Sequence, residues 1–254
     1  MPNKRRRPSR RRRRGSLGPL LRVLSLLLAA VAIVAALTLF FKVDQVLVTG
    51  NSRYTQEEIV AASGVEKGDN LILLDKYRIS QSVYTSLPYI SEVRINRKLP
   101  DTLVVDVTET AASAVIRGGG SWWRINTHGK LLEEAASAAG CIQIAGLTAQ
   151  APVLGRPLEL AEGGHLTLDR LLELLGALES RGMLERTGSI DASDAKCLVL
   201  TYDDRLRVKI PYHADFGFKL DGVLGWVAEL EPNERGTILM TLKDDNKSHF
   251  IPDP

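Results

Sequence analysis

The chain is poor in the residues that carry chemistry. Of 254 residues only two are cysteine and four are histidine. Cys141 and Cys197 lie far apart, and no Cys-x-x-Cys or Cys/His spacing suited to a metal occurs. His128, His165, His213 and His249 are scattered, with no two at a metal-ligand spacing. A bridge between the cysteines is open to a chain in an oxidising compartment. The preferred reading is two lone thiols packed as small hydrophobes within apolar runs. No cofactor, metal or small-molecule substrate is expected.

Acidic residues are absent from the first 22 positions, which hold ten of the 33 lysines and arginines. The remainder carries 23 basic against 30 acidic groups, a balance of −7. A mildly acidic body lacks the electrostatic footprint of a DNA- or RNA-binding surface, so its partners are expected to be proteins. The arginine run alone could contact phosphate. A membrane segment follows it closely, which makes anionic lipid the nearer polyanion.

What is present begins with an uncharged apolar run from Val23 to Phe41. As a helix rising ~1.5 Å per residue it reaches across a ~30 Å hydrocarbon core. The flanking cations orient it with the tail, residues 1–22, in the cytoplasm and the rest outside. A cleaved leader has a shorter apolar core and a small-x-small site at its end. Here the run exits through Phe40-Phe41-Lys42, so an uncleaved anchor is expected.

Past the anchor, Val43–Thr49 reads as a strand ended by the turn Gly50-Asn51. Thr55-Gln56-Glu57-Glu58 has capping-box spacing for a short helix stopped by Gly64. A second helix spans Lys76 to Leu87, with Tyr77, Val83, Tyr84 and Leu87 inward, and Pro88 ends it. Strands Ile90–Arg97 and Thr102–Thr108 follow. Between them Lys98-Leu99-Pro100-Asp101 turns, with its flanking leucines entering the core. Leu103, Val105 and Val107 share one face of the second strand. The order is β-α-α-β-β.

Several pieces in that order resemble a POTRA domain of the FtsQ/DivIB cell-division family. They are Phe41-Lys42-Val43 with Val46, Val48-Thr49-Gly50-Asn51, Thr55-Gln56-Glu57-Glu58-Ile59 and Gly68-Asp69-Asn70-Leu71. Leu87-Pro88-Tyr89-Ile90 with Val93, Arg97 through Leu103, and Val107-Thr108-Glu109 complete the set.

From Ala111 the chain turns β-rich. Gly118-Gly119-Gly120, Ser121–Asn126 and His128–Leu132 are similar to the start of the family's β domain. Strand-like runs lie at Cys141–Leu147, Leu198–Tyr202 and Leu206–Ile210. Leu168, Leu171, Leu172, Leu175 and Leu178 mark an amphipathic helix over a sheet. A glycine-weakened helix spans Asp215 to Leu230, so packing must stabilise it. Thr237–Lys243 and Ser248–Pro252 resemble the family's closing strand, although Leu239 stands where relatives usually carry an Asp.

The fold class expected is α+β: a single N-terminal transmembrane helix, a POTRA domain, and a β-rich domain with covering helices. The boundaries are 1–22, 23–41, 42–110 and 111–254. The resemblance implies a non-enzymatic, single-pass type II protein that gathers divisome membrane proteins at the septum and regulates septal peptidoglycan synthesis. Its implied partners are of the FtsB/DivIC and FtsL type. A partner segment is expected to pair by β-augmentation with an edge strand formed by Thr237, Ile238, Leu239, Met240, Thr241, Leu242 and Lys243. Tyr202 and Phe250 would supply side-chain pockets. The alternative for this strand is an interior position, paired on both sides.

Two other functions compete. Ser193-Asp194-Ala195-Lys196 has Ser-x-x-Lys spacing, but the Ser-Asp-Asn and Lys-Thr-Gly elements that accompany it in penicillin-recognising enzymes are missing. A sortase-like transpeptidase would need a Cys/His pair, and neither cysteine sits in that family's Thr-Leu-x-Thr-Cys setting. A POTRA chaperone or secretion module is the third possibility.

Overall fold

The computed structural model describes residues 17–161, 165–241 and 248–253; the Arg-rich run before residue 17 lies outside them. Helix α1 (Leu17–Phe40) contains an 18-residue stretch, Leu21–Thr38, of mean hydropathy 2.4, whose single charge is Arg22 at its start and none of which is buried. An apolar helix with no protein face to bury against is suited to lipid.

Two compact units divide the described chain. One gathers α1 and the chain to Val46 with segments Glu66–Leu74 and Arg97–Leu103. In it Leu71 N–H donates to the Phe41 carbonyl at 2.8 Å, and Val43 N–H to the Asp69 carbonyl at 2.8 Å. Val43, Leu71 and Leu103 are buried, whereas Leu99 is 60% exposed. The expected inward packing of both turn leucines therefore holds for Leu103 alone. Leu99 sits at the tip of the turn, beyond the last pair of the strands it joins.

The other unit holds the rest. Helix α2 (Gln56–Ser63) starts with a complete capping box: Thr55 Oγ1 accepts from Glu58 N–H, and the Glu58 carboxylate accepts from Thr55 N–H at 2.8 Å. Gly64 closes it in the left-handed conformation. Asp75 caps α3 (Lys76–Ser86), whose buried residues are Ile79 and Val83. Tyr77, expected inward, is 73% exposed, because at the first turn it falls off the Ile79–Val83 stripe.

Strands β1 (Gln45–Thr49), β2 (Ile90–Lys98) and β3 (Thr102–Glu109) form a sheet in the order β1-β3-β2. Leu103, Val105 and Val107 alternate inward along β3, as the period of two requires. Gly50 (φ 81°) lies so close to the Val107 carbonyl that a Cβ there would sit 2.0 Å from its oxygen. Only glycine fits.

The remaining strands are β4 (Ala114–Gly118), β5 (Ser121–Ile125), β6 (Leu131–Ala135), β7 (Ile142–Ala149), β8 (Thr187–Asp191), β9 (Cys197–Tyr202), β10 (Leu206–Pro211), β11 (Gly236–Met240) and β12 (Ser248–Pro252). Among the described residues they make one nine-stranded mixed sheet, β12-β11-β10-β9-β8-β7-β4-β5-β6. In β9, β10 and β11, buried positions alternate with more exposed ones, giving a sheet covered on one face. The covering helices are α4 (His165–Ser180), burying Leu171, Leu174, Leu175 and Leu178, and α5 (Phe216–Glu229), burying Phe216, Leu220 and Val223. All seven belong to one core with Leu198, Leu200, Val208, Ile210 and Ile238.

Lys130, just before β6, joins α3 to this sheet. It is 1% exposed, and its Nζ donates to the carbonyls of Tyr84 (2.5 Å), Ile90 (2.6 Å) and Leu87 (3.3 Å). The ammonium also lies 3.6 Å from the centre of the Tyr84 ring. The carboxyl end of a helix presents unsatisfied carbonyls and partial negative charge, and a buried lysine answers both. Beside it, Gly155 (φ 74°) approaches the Thr85 carbonyl so closely that a Cβ would stand 2.2 Å from its oxygen.

Candidate partner-binding site

The expected edge strand is corrected by the sheet order. Strand β11 is interior: it pairs in parallel with β10 and antiparallel with β12. Ser248–Pro252 folds back along it and takes the outer position. Ile238 is fully buried, Met240 is 7% exposed, and Thr237, Leu239 and Thr241 are half-buried. Leu242 and Lys243 lie outside the described residues. Tyr202 is 1% exposed at the end of β9, with the Arg186 guanidinium 4.9 Å from its ring centre. Of the seven expected partner-binding residues that are described, Phe250 alone sits on the edge strand.

Among the described residues the edge is therefore β12. Asp253 N–H donates to the Arg235 carbonyl at 2.9 Å, continuing the register that pairs Pro252 with Gly236. In an antiparallel ladder, backbone groups alternate between facing the partner strand and facing away. Asp253, Ile251 and His249 thus turn their backbone groups toward β11, while Pro252, Phe250 and Ser248 turn theirs outward. Pro252 has no N–H to offer, which suits an outward position.

Side chains alternate likewise. Ser248 and Phe250 face α5: Trp226 Nε1–H donates to Ser248 Oγ at 2.7 Å, and the Trp226 and Phe250 rings lie 5.9 Å apart. His249 and Ile251 are exposed. A groove between α5 and β12 is lined by Phe218, Gly222, Gly225, Trp226, Ser248 and His249, with the carboxylates of Asp221 and Glu229 also on its α5 side. A Cβ on Gly225 would meet open space. The glycines that weaken α5 as a helix thus leave one wall of the groove bare. Gly236 lets the ring approach, since a Cβ there would stand 2.6 Å from Phe250. An edge with no outer strand among the described residues, beside a groove of mixed aromatic and acidic lining, can accept an extended peptide, with backbone bonds along β12 and side chains in the groove.

Sequence reasoning missed Trp226, Ser248 and the groove glycines. The signal was the trio Gly217, Gly222 and Gly225 within one amphipathic helix, which was read only as weakness. Lys130 was also missed. It lies between Gly129 and two leucines, in a polar stretch where nothing local marks it as buried.

The competing nucleophiles are not set up for reaction. Burial pushes the thiol pKa of both cysteines up, and Asp194 raises Cys197 further. An activated cysteine shows the reverse. Both are unbridged and half-buried. Ser193 to Lys196 form an exposed turn between β8 and β9. Among the described residues no group of three or more His, Cys, Asp or Glu side chains could hold a metal.

Residues 41–110 match the family model for a POTRA domain, FtsQ-type. The chain is 25% identical over 184 residues to the cell division protein FtsQ of Corynebacterium glutamicum, covering 72% of this chain and 77% of that one. It is 32% identical over 144 residues to FtsQ of Syntrophotalea carbinolica, covering 56% of this chain and 49% of that protein. It is 30% identical over 111 residues to the cell division protein DivIB of Clostridium acetobutylicum, 43% of this chain and 44% of the relative. The chain thus spans about three quarters of the first relative and about half of the other two.

Proposed function

Because the chain belongs to the FtsQ/DivIB cell-division proteins, we propose that it is a non-enzymatic scaffold that holds divisome membrane proteins at the septum. Its basic tail (1–22) lies in the cytoplasm, residues 23–41 cross the membrane, and a POTRA domain (42–110) and a β domain (111–254) lie outside. Its partners are small membrane proteins of the FtsB/DivIC and FtsL type, through which it regulates septal peptidoglycan synthesis.

The observation that carries this reading is the outer edge of β12 beside the Trp226 groove. A partner strand there would take the outward N–H groups of Ser248 and Phe250 and the outward carbonyls of Ser248, Phe250 and Pro252. Such main-chain pairing gives affinity, and the groove gives selectivity.

The test is co-purification of the full chain with an FtsB/DivIC-type partner, comparing Phe250→Pro with Phe250→Ala. Both remove the ring, but only proline removes the outward donor. Augmentation requires the proline variant to lose clearly more partner than the alanine variant while both stay folded. Equal retention rejects it. A fluorescent fusion enriched at midcell supports the septal role, and uniform membrane labelling counts against it.

A further inference from the structure

A turn tied to the end of α1 exposes large aliphatic side chains that its backbone has no need to expose. Leu73 is 73% exposed, Leu99 60% and Ile72 41%. All three belong to the compact unit that contains α1. Asn70 fixes their position. Its Nδ2–H donates to the Thr38 carbonyl at 3.3 Å, and Thr38 is the last residue of the apolar stretch of α1. Its Oδ1 accepts from Ile72 N–H (3.0 Å) and Leu73 N–H (3.1 Å), which shapes the turn. One side chain therefore satisfies a carbonyl at the helix end and builds the turn beside it.

The Leu99 turn is held to the same place. Arg97 Nη2–H donates to the Leu74 carbonyl at 2.5 Å, and Asp44 N–H to the Asp101 carbonyl at 2.9 Å. Exposed Lys42 and Lys98 flank the three aliphatics. Asp44 is paired with Lys67 at 2.7 Å. Aliphatic tips with nearby lysines, level with the exit of a spanning helix, are the composition of a surface that beds into lipid headgroups. The headgroup zone beyond the ~30 Å hydrocarbon core is several ångströms deep on each side, enough to receive them.

From this continuity with α1 we infer that Ile72, Leu73 and Leu99 insert into the outer headgroup–acyl boundary of the bilayer, so that the start of the external chain docks on lipid. This rests on α1 spanning that bilayer. Docking would restrict the swivel of the chain as it leaves the membrane.

Depth measurement by spin labelling tests it. The full chain, with Cys141→Ser and Cys197→Ser, is reconstituted into phosphatidylcholine/phosphatidylglycerol vesicles with one label at Ile72→Cys, Leu73→Cys or Leu99→Cys. Val31→Cys is the bilayer reference and Lys209→Cys the aqueous one. Each of the three sites should show an oxygen-to-nickel-chelate accessibility ratio several-fold above that at 209 and below that at 31. Any one of them matching 209 overturns the inference while leaving the anchor intact. So does shielding from both reagents, which would mean a second copy covers the face. A water-like value at 31 defeats the anchor reading itself, and the inference with it.

Discussion

Lys130 donates its buried ammonium to the carbonyl of Tyr84, 46 residues earlier, at 2.5 Å, while lying against the ring of that same tyrosine. The contact fastens the end of α3 to the sheet that follows it, so the two pack as one piece within their unit.

Lys130→Met should destabilise that unit at pH 7 by about 1–3 kcal/mol, since the carbonyl end of α3 loses its cation and gains no donor. Burial lowers the Lys130 pKa from 10.5 to about 8. Between those values the unfolded chain binds more protons than the folded one, so stability should rise with pH from about 8 to about 10.5. The gain attributable to this group should approach 2–3 kcal/mol as an order of magnitude. Denaturant melts across that range should show the rise in the parent and its loss in Lys130→Met. Parallel curves would refute the assignment.

Glu109 receives the chain entering α2. Its carboxylate accepts from the N–H groups of Ser52 (3.0 Å), Arg53 (2.9 Å) and Tyr54 (3.2 Å) and from Ser52 Oγ (2.6 Å). Desolvation pushes its pKa up, but the bonds from Ser52, Arg53 and Tyr54 outweigh it and hold it below the usual carboxylate range. The stability it confers is complete above the unfolded pKa and fades as pH falls through the folded one. Glu109→Gln should cost on the order of 1 kcal/mol near neutrality, after allowance for solvent screening. The cost should shrink in acid, as urea melts at pH 7 and pH 3 can check.

Gly50→Ala should be among the most damaging small substitutions. It combines a positive φ with a Cβ 2.0 Å from the Val107 oxygen, and relief requires the backbone to move. A loss of about 2 kcal/mol or more is expected in thermal or denaturant melts. A change below about 0.5 kcal/mol would contradict the close approach.

Proline should separate the two terminal strands. Ile238→Pro enters a fully buried position on a strand bonded on both sides and should unfold the sheet end, at about 3 kcal/mol or more. Phe250→Pro removes an outward N–H from the edge strand and should leave circular dichroism and melting much closer to the parent. Equal damage at both positions would mean that β12 is not an edge.

Much of the first half was legible locally. Thr55 and Glu58 form the capping box at the expected spacing, and Leu103, Val105 and Val107 bury as the alternation demanded. Both depend on residues within a few positions of one another. Tyr77 and Leu99 broke the pattern because each stands just outside the repeat that would bury it. The candidate site was legible in kind only. An alternating strand near the end of the chain was visible at 237–243, but whether it is an edge depends on where residues 248–252 settle.

The sequence alone determined the apolar helix, the cap and turn chemistry, and the inward faces of individual elements, because those follow from side-chain type and short-range period. Tertiary structure decided which strand is outermost, which glycines open a groove, and that Lys130 reaches the end of α3. Those outcomes arise from pairings between residues tens of positions apart, where many partners satisfy the same local pattern and packing selects one.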